Sequence, residues 1–516
     1  MTTDVDAAEA VLDPYAYLRR HATGTPTKRF LVDAEGEYTF AYVHGAATQL
    51  ANRLTGLGCV AGDRVGIWLP NCREFVFAQL ACHAVGAVAV PLNPRLRTRD
   101  LAFALNNCSA RFLVLGGASR HLDYEQLVAE LAAAGELPVL EHTLSYVDDG
   151  VVTTPEETFQ PTAHRPGDPA FIMFTSGTTA DPKGVVLTQR NIRNAVKVAG
   201  GLSPDDVTLL GYPLSAITGC HNGVLASLVV GSALILYDDS DLTTAALLSK
   251  TYGATHLAVH RQVLKALGAG GHCQELRFLK ASIFPRMAVD APIYERLGVE
   301  SLVVGYGMTE TCGPATYANE LSVDDAIHAG CDGWPSHGVE RVIVGQDGQP
   351  TEADRPGEIR LRGPQVSPGY WNGPGDFTPI TDTDGWLRTG DIGEIRADGS
   401  LHFVERRSET FKSRGFTVSP GEIETVIRDH PGVHDCAVFG LEAAAGGTVP
   451  VAVVETEDVT AELVDALYRR CRESLASYKV PQAILPAHAL PRTRTGKLSK
   501  RDIASRHGDE LRKPLP

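Results

Sequence analysis

The most constraining feature of the sequence is a loop rich in glycine, serine and threonine between two short apolar segments. The loop reads F-T-S-G-T-T-A-D-P-K-G over residues 174–184, and the apolar runs cover residues 170–174 and 185–187. Between two strands, such a loop can present many backbone N–H groups and hydroxyls to one anion, with Lys183 as a fixed cation. The pattern therefore predicts a phosphate-binding loop.

This loop is not a Walker A motif, which requires glycine directly before its lysine and serine or threonine directly after it. Here Pro182 precedes Lys183 and Gly184 follows it. Taken alone, a loop of serine, glycine and threonine is more often an ordinary surface turn. The other motifs of the chain therefore decide between the two interpretations.

Four further motifs follow the loop. They read G-Y-G-M-T-E-T at 305–311, G-W-L-R-T-G-D at 385–391, E-R-R-S-E-T-F-K-S-R-G at 405–415 and P-R-T-R-T-G-K at 491–497. In this order and spacing, the five motifs resemble the adenylate-forming superfamily of acyl-CoA synthetases, peptide-synthetase adenylation domains and luciferases. The resemblance extends from about residue 30 to residue 505. It implies an enzyme that uses ATP and Mg²⁺ to activate an acid as its AMP mixed anhydride, with CoA as the leading co-substrate.

The resemblance also implies roles for residues of the N-terminal motifs. Tyr306 would stack on the purine, Thr309 would contact a phosphate and Glu310 would bind Mg²⁺. One glutamate is sufficient, because Mg²⁺ takes one or two carboxylates plus substrate phosphates. The residues expected to hold the phosphates are Thr175, Ser176, Gly177, Thr178, Thr179 and Lys183.

Further roles follow for the C-terminal motifs. Asp391 would accept hydrogen bonds from both ribose hydroxyls, and Arg406 would make a second contact with the ribose or a phosphate. Lys497, on a loop beside a glycine, would be the catalytic lysine that bridges the acid oxygen and the α-phosphate. Thr309 and Glu310 would complete the catalytic set. The hinge between the two halves of such enzymes corresponds to Ser408, where the family usually has Asp or Lys.

Alternating apolar runs and helix-like stretches predict an α/β fold. Two β-α-β series, at 62–115 and 207–304, indicate parallel sheets covered by helices. The pattern changes after residue 415 to an α+β module. We expect a large N-terminal body of layered α/β sheets over residues 1–407, with the ATP and acid sites. A smaller mobile α+β C-terminal lid domain over residues 408–516 would carry the catalytic lysine.

The amino-acid composition limits the classes of partner that the protein could bind. A net charge of −15 argues against a nucleic-acid surface, and no apolar window of 18 residues predicts a membrane span. The ten cysteines form no C-x-x-C pair, and the N-terminus lacks a signal-peptide pattern, which together predict a cytoplasmic protein with reduced thiols. The expected partners are a small-molecule acid and its acceptor, and a homodimer is left open.

Departures from the family pattern fall near the expected acid pocket. Ser215 and Ala216 replace an aromatic residue and a histidine, and Ile283 and Phe284 replace glycines of a Gly-Gly-Ala loop. These changes predict a shortened pocket that excludes a long acyl chain. Residues that could meet an anionic substrate, or could instead turn outward, are His260, Arg261 and Arg286.

Three functions therefore compete. The first is a ligase that joins a small acid to CoA, as most free-standing members with such a lid do. The second keeps the activation step but transfers the acid to an amine, including ATP-dependent diazotisation of an aryl amine with nitrite, and the filled pocket favours it. The third is a non-catalytic nucleotide-binding protein. It is disfavoured because Lys183, Glu310, Asp391, Arg406 and Lys497 occur together.

Overall fold

The computed structural model of the 516-residue chain describes residues 11–511 with internal gaps. The gaps are 117, 120–121, 146–159, 176–181, 199–200, 238–240, 270–275, 277, 285–289, 329, 407–410, 414–415, 419, 443–447, 476–478 and 494–496. Ser176, Gly177, Thr178, Thr179, Arg286 and Ser408 lie outside the described residues.

The strands, numbered in chain order, have the following bounds. They are β1 Arg29–Asp33, β2 Gly36–Thr39, β3 Arg64–Trp68, β4 Val88–Pro91, β5 Phe112–Leu115, β6 Ala118–Ser119, β7 Leu122–Asp123, β8 His142–Ser145, β9 Pro169–Thr175, β10 Lys183–Thr188, β11 Val207–Leu210, β12 Ala233–Leu236, β13 His256–His260, β14 Lys280–Phe284, β15 Ser301–Met308, β16 Gly313–Ser322, β17 Trp334–Pro335, β18 Glu340–Val344, β19 Gly357–Arg362, β20 Gly369–Gly373, β21 Asp376–Pro379, β22 Leu387–Ile395, β23 Leu401–Arg406, β24 Phe411–Ser413, β25 Phe416–Val418, β26 Asp435–Glu442, β27 Thr448–Glu455 and β28 Ala483–Ala487.

The helices are numbered in the same way. They are α1 Pro14–Gly24, α2 Phe40–Gly56, α3 Arg73–Val85, α4 Thr98–Asn107, α5 Tyr124–Ala133, α6 Gln189–Ile192, α7 Ala195–Val198, α8 Ile217–Gly219, α9 Ala226–Val230, α10 Leu242–Tyr252, α11 Arg261–Ala269, α12 Ala291–Arg296, α13 Val323–His328, α14 Pro420–Arg428, α15 Ala461–Ser474 and α16 Lys500–Leu511. A π-helical segment, Cys220–Leu225, lies between α8 and α9, and a 3₁₀ turn, Thr309–Thr311, follows β15.

The chain separates into two compact units. The first comprises Met1–Phe284, Ile293–Glu340 and Leu361–Leu387, and the second comprises Pro285–Pro292, Arg341–Arg360 and Arg388–Pro516. The domain boundary expected at 407/408 lies within the second unit and stays a prediction.

Two large sheets form the framework of the first unit. The nine-stranded sheet has the order β17-β16-β15-β14-β13-β11-β12-β1-β2, and the eight-stranded sheet has the order β21-β20-β10-β9-β4-β3-β5-β8. Strands β11 to β15 of the larger sheet run parallel to one another, as the second β-α-β series predicted. Strands β3, β4, β5 and β8 of the smaller sheet are also parallel.

The alternation of side chains along these strands divides the first unit into layers. Alternate residues of both sheets face a shared core that also contains α2 and α3, such as Val65 and Leu234. The opposite face of the nine-stranded sheet is covered by α10 and α11, and that of the eight-stranded sheet by α4 and α5. Because strand side chains point alternately to the two faces, each sheet is buried on both sides. The result is five alternating layers of helix and sheet.

Local sequence explains where several of these helices begin and end. Thr39 and Asp241 cap α2 and α10 by accepting the backbone N–H groups of Tyr42 and Thr244. Helix α3 ends at Gly86, whose φ of 78° lies in the left-handed region that glycine adopts without strain. None of the helices in the described part of the chain is both long and apolar enough to cross a lipid bilayer.

The second unit is smaller and is built around two sheets. One has the order β18-β19-β22-β23, and the other has the order β26-β27-β28. The three-stranded sheet is covered on one face by α14 and α15, and on the other by α16. The predicted fold class, a large layered α/β body with a smaller α+β domain, is confirmed.

Candidate active site

The predicted phosphate loop connects two antiparallel strands, β9 and β10. Lys183 lies opposite Thr175 in the register, and the Thr175 hydroxyl donates to the Lys183 carbonyl oxygen at 3.5 Å. Gly184 permits the close approach of the strands, because a Cβ there would lie 2.9 Å from the Ile172 side chain. The two ends of the loop are therefore fixed by a hairpin, and four of its predicted phosphate-binding residues fall in the gap at 176–181.

The Lys183 side chain lies against an aromatic ring from the neighbouring strand. Strand β20 pairs with β10, placing Tyr370 opposite Val185, and the Lys183 Nζ atom lies 4.8 Å from the centre of the Tyr370 ring. A cation held at this distance is attracted by the negative face of the ring. The ring therefore restricts the position of the ammonium group.

The same tyrosine reaches the predicted magnesium ligand. Its hydroxyl donates to Glu310 Oε1 at 3.0 Å, and the Ser367 backbone N–H donates to the Glu310 carbonyl oxygen at 2.8 Å. Glu310 is 8% exposed. Tyr370 thus joins Lys183 to Glu310, two residues that are 127 positions apart in the sequence (310 minus 183). Sequence reasoning missed Tyr370. The only signal in the sequence was the G-Y-W segment at 369–371, which the structure places in the strand beside β10.

The turn that carries Glu310 is tightly closed. Thr311 accepts the Met308 backbone N–H at 2.9 Å, and Cys312 has a φ of 51°, in the left-handed region. Gly307 is required by a close approach, because a Cβ there would lie 2.1 Å from the Gly313 carbonyl oxygen. Closure of this turn fixes the backbone of Thr309 and Glu310 at the end of β15, where ligands bind in open α/β sheets.

Tyr306 lies on β15 just before this turn. Its backbone N–H donates to the Thr316 hydroxyl at 3.2 Å, and its side chain is 7% exposed. Stacking of Tyr306 on a purine stays a prediction.

The donor set around Glu310 fits a magnesium ion bound together with phosphates. A carboxylate offers about four lone-pair positions, and Tyr370 occupies one of those of Glu310. In the described part of the chain, no cluster of three or more His, Cys, Asp or Glu side chains could bind a metal without added ligands. Mg²⁺ uses few protein carboxylates and completes its coordination shell with phosphate and water oxygens, so the remaining lone-pair positions of Glu310 suit it.

A cluster of polar side chains lies near the expected acid pocket, on β13, on β14 and just after β11. His260 ends β13, whereas His256 begins it and Ser282 is in the middle of β14. The Tyr212 hydroxyl donates to the Ser282 carbonyl oxygen at 3.0 Å, and the Tyr212 ring meets His260 edge-on at 4.6 Å. His256 Nε2 lies 3.0 Å from the Ser282 hydroxyl. Burial lowers the pKa of His256 to about 4; Asp206 opposes this and Lys280 adds to it. His256 is therefore neutral near pH 7. Sequence reasoning singled out His260 of this cluster but not Tyr212, His256 or Ser282.

The other residues predicted for the acid pocket have different surroundings. Arg261, the first residue of α11, is 4% exposed, so its side chain does not project into solvent. Ala216 is the N-cap residue directly before the short helix α8, and its backbone N–H donates to the Pro213 carbonyl oxygen at 3.0 Å. Ile283 and Phe284 belong to β14, but their side chains are outside the described set. Whether they fill the pocket stays a prediction.

In the second unit, the two predicted ribose-binding residues are direct neighbours across a sheet. Asp391 on β22 lies opposite Arg406 on β23, and the Asp391 backbone N–H donates to the Thr389 hydroxyl at 3.1 Å. Asp391 is buried, and Gly390 before it has a φ of 71°. The T-G-D segment is thus part of a strand and not an isolated turn.

The predicted catalytic lysine lies on a short closed loop of the second unit. Lys497 is exposed, and its carbonyl oxygen accepts the Thr493 backbone N–H at 2.6 Å. Arg492 and Leu498 pair across the base of this loop. The structure therefore brings together Lys183, Tyr370 and Glu310 in one unit, and Asp391 and Arg406 in the other.

The chain is similar to known proteins along most of its length. The family described as AMP-binding enzyme matches residues 18–371, and the AMP-binding enzyme C-terminal domain matches residues 422–497. A 2-succinylbenzoate–CoA ligase of Bacillus velezensis is 30% identical over 96% of this chain and 98% of the relative. An oxalate–CoA ligase of Arabidopsis thaliana is 31% identical over 93% and 95%. The structure of o-succinylbenzoate coenzyme A synthetase from Bacillus subtilis in complex with ATP and magnesium ion superposes with a TM-score of 0.78, at 28% identity over 94% of this chain and 98% of that one.

Proposed function

Because the chain belongs to the AMP-binding enzyme family, we propose that it activates a small carboxylic acid with ATP and transfers the acyl group to the thiol of CoA. In the first step, the acid would become an AMP mixed anhydride and pyrophosphate would leave. In the second step, CoA would displace AMP.

The observation that carries this proposal is the chain of contacts from Lys183 through Tyr370 to Glu310. It holds a cation beside the phosphate loop and a carboxylate at the end of β15. One triphosphate with bound Mg²⁺ could contact both groups, the lysine through a phosphate oxygen and the carboxylate through the metal. A loop that served only as a surface turn would not need a buried carboxylate linked to its lysine. The contacts therefore support a site for a nucleotide with bound Mg²⁺.

The chemistry of the first step explains the need for these groups. An oxygen of the acid attacks the α-phosphorus, and the bond between that phosphorus and the bridging oxygen breaks as pyrophosphate leaves. Negative charge accumulates on the phosphate oxygens, and fixed cations lower the barrier by stabilising it. Lys183 would hold the leaving pyrophosphate, and Lys497 would bridge the acid oxygen and the α-phosphate. Bound Mg²⁺ would supply further neutralisation of the phosphate charge.

In the second step, the sulfur of CoA attacks the acyl carbon and the bond from that carbon to the phosphate oxygen breaks. AMP leaves with the electron pair, and the thiol loses its proton. The departing AMP gains one negative charge, but no bond to the α-phosphorus forms or breaks in this step. The role proposed for Lys497, which is to bridge the acid oxygen and the α-phosphate during attack on phosphorus, therefore belongs to the first step.

The polar cluster of Tyr212, His256, His260 and Ser282 favours a small and polar acid. Tyr212 and His256 hydrogen-bond to Ser282, and His260 packs edge-on against the Tyr212 ring, so a hydrocarbon chain would meet polar groups here and not an apolar wall. The two curated relatives act on acids as different as 2-succinylbenzoate and oxalate, according to their names, so neither acid is transferred to this chain.

The test is pyrophosphate release with ATP and Mg²⁺ over a panel of acetate, oxalate, benzoate, 2-aminobenzoate, 2-succinylbenzoate and nitrite, with and without CoA. We expect saturable release with one of the carboxylates, and AMP plus a thioester when CoA is added. Turnover that requires nitrite and an aryl amine, and is indifferent to CoA, would replace this proposal by the diazotising alternative. No release with any acid would favour a non-catalytic nucleotide-binding protein.

A further inference from the structure

The loop that carries Lys497 is closed by backbone hydrogen bonds at its base. Thr493 donates to the Lys497 carbonyl oxygen, and Ser499 donates to the Pro491 carbonyl oxygen at 2.9 Å. Arg492 and Leu498 face each other between these two bonds. Two legs, residues 491–493 and 497–499, therefore join the loop of Lys497 to the rest of the second unit.

The first leg is anchored by the Arg492 guanidinium. It lies 2.9 Å from Asp435 Oδ2 and 2.7 Å from Glu455 Oε2, and its side chain is 11% exposed. Asp435 and Glu455 are direct partners across β26 and β27. One arginine thus binds two carboxylates that the sheet itself holds in register, and low exposure protects these ion pairs from screening by salt.

The second leg is anchored by Lys500, the first residue of α16. Its Nζ atom lies 2.8 Å from Glu424 Oε1 on α14. Arg428, one turn further along α14, contacts both Glu424 Oε2 and Asp435 Oδ1 at 3.1 Å. A continuous circuit of ion pairs therefore connects the two legs. It leads from Arg492 to Asp435, then to Arg428, Glu424 and Lys500.

The charges of this circuit are balanced and its carboxylates are well buried. With Glu455 included, three carboxylates face three cations. Val438 donates its backbone N–H to Glu424 at 2.9 Å, and Cys436 donates to Asp435 at 2.9 Å. Because α14, β26 and β27 contribute to the hydrophobic core of the second unit, the circuit attaches the loop of Lys497 to buried secondary structure.

We infer that Arg492 and Lys500 are positioning residues, which hold the loop of Lys497 in the geometry required for adenylate formation. The inference rests on the proposed function, in which Lys497 acts in the first step. A displacement of about 1 Å can reduce a rate by about a hundredfold, so anchoring a lysine on an exposed loop from both legs has a direct catalytic consequence.

The experiment compares the two half-reactions in full-length variants. The first is single-turnover formation of the acyl-adenylate from ATP and the panel acid that gives the fastest pyrophosphate release. The second is thioester formation from CoA and the chemically prepared adenylate of that acid. The variants are Arg492→Gln, Arg492→Lys, Lys500→Gln and Lys497→Ala. The control is Arg470→Gln, which breaks an ion pair with Asp429 elsewhere in the same unit.

We expect Arg492→Gln to slow adenylate formation by about ten- to a hundredfold and to change thioester formation by less than about twofold. Lys500→Gln should show the same split to a smaller extent, and Arg492→Lys should recover part of the loss. Arg470→Gln should leave both rates unchanged. Because Arg492→Gln removes one of the two cations that contact Asp435 and the cation that contacts Glu455, it could prevent folding, and Lys500→Gln then keeps the test decisive.

Hydrogen exchange in the free protein supplies a readout that does not depend on substrate. The Thr493 and Ser499 amides, which close the loop, should exchange faster in Arg492→Gln and Lys500→Gln, while the amides of β26 and β27 stay protected. If Lys497→Ala abolishes adenylate formation, either of two results would overturn the positioning role. Arg492→Gln and Lys500→Gln would slow both half-reactions equally, or they would leave the rate of adenylate formation unchanged. Full activity of Lys497→Ala would instead overturn the role proposed for Lys497, and the positioning role with it.

Discussion

The two lysines assigned to the reaction are held in opposite ways. Lys183 lies at the start of a sheet strand, and its ammonium group lies over the neutral ring of Tyr370. The hydroxyl of the same tyrosine donates one hydrogen bond to Glu310. Lys497 lies on an exposed loop whose legs are fixed by ion pairs. A residue that only has to hold a ligand can be built into a sheet, whereas a loop residue needs anchors that the local backbone does not provide.

The difference also predicts how each arrangement responds to substitution and to a change of pH. The link from Lys183 to Glu310 depends on a tyrosine ring and its hydroxyl, which carry no charge near neutral pH. The circuit around Arg492 depends on carboxylates that must stay ionised. The following predictions test this contrast, beginning with the largest effect.

Replacement of the two lysines should separate binding from chemistry. We expect Lys497→Ala to reduce the rate of adenylate formation by about a hundred- to a thousandfold while the Kd for ATP changes by less than about threefold, because its charge is needed mainly in the transition state. Lys183→Ala should weaken ATP binding as well. Rates come from rapid-quench analysis, and Kd values from calorimetry with ATP and Mg²⁺. An equal loss of ATP binding in Lys497→Ala would contradict its role.

Tyr370→Phe should weaken binding of the metal–nucleotide complex by about tenfold, the lower range for loss of a group that orients a metal ligand. The ring under Lys183 remains in this variant, so only the hydrogen bond to Glu310 is removed. Calorimetric titration with ATP at several Mg²⁺ concentrations measures the effect without turnover. Tyr370→Leu, which also removes the ring, is the matched comparison and should weaken binding further. Identical affinities for Tyr370→Phe and the unaltered protein would refute the link.

Acid should destabilise the first unit before the second. Burial lowers the pKa of His83 to about 3 and that of His256 to about 4, from an ordinary value of 6.5. As the pH falls, the unfolded chain binds protons at these histidines before the folded chain does. The stability due to the neutral histidines is therefore complete above pH 6.5 and decreases as the pH falls towards 4. All four tryptophans, Trp68, Trp334, Trp371 and Trp386, belong to the first unit, so their fluorescence follows it alone. His256→Gln should shift this transition to lower pH.

Glu424 should give the second unit a later and smaller acid response. Burial raises the pKa of Glu424, but Arg428 and Lys500 outweigh burial and leave it below the ordinary 4.5. Its contribution to stability is therefore present above pH 4.5 and is lost as the pH falls below that value. Hydrogen exchange of the β26 and β27 amides measures this response, and Glu424→Gln should flatten it. A transition in these amides near pH 6 would show that the two units do not respond separately.

Much of the fold could be predicted because it depends on periodic patterns. The apolar runs at 207–210, 233–236 and 301–304 all lie in strands of one sheet. Such segments are determined by the local alternation of apolar residues and by turn chemistry. The antiparallel partners β16, β17, β20 and β21 were not anticipated, because their pairing depends on the order of strands in the finished sheets.

The sequence by itself determined the family, the α/β architecture and the positions of the charged residues expected at the site, because motifs and periodicity are properties of neighbouring residues. Only the tertiary structure decided that Tyr370 connects Lys183 to Glu310, that Asp391 faces Arg406, and that Arg492 and Lys500 anchor the loop of Lys497. These contacts join residues that are distant in the chain. They arise because antiparallel pairing places β20 beside β10 and β23 beside β22, and because buried charges must find partners wherever the fold places them.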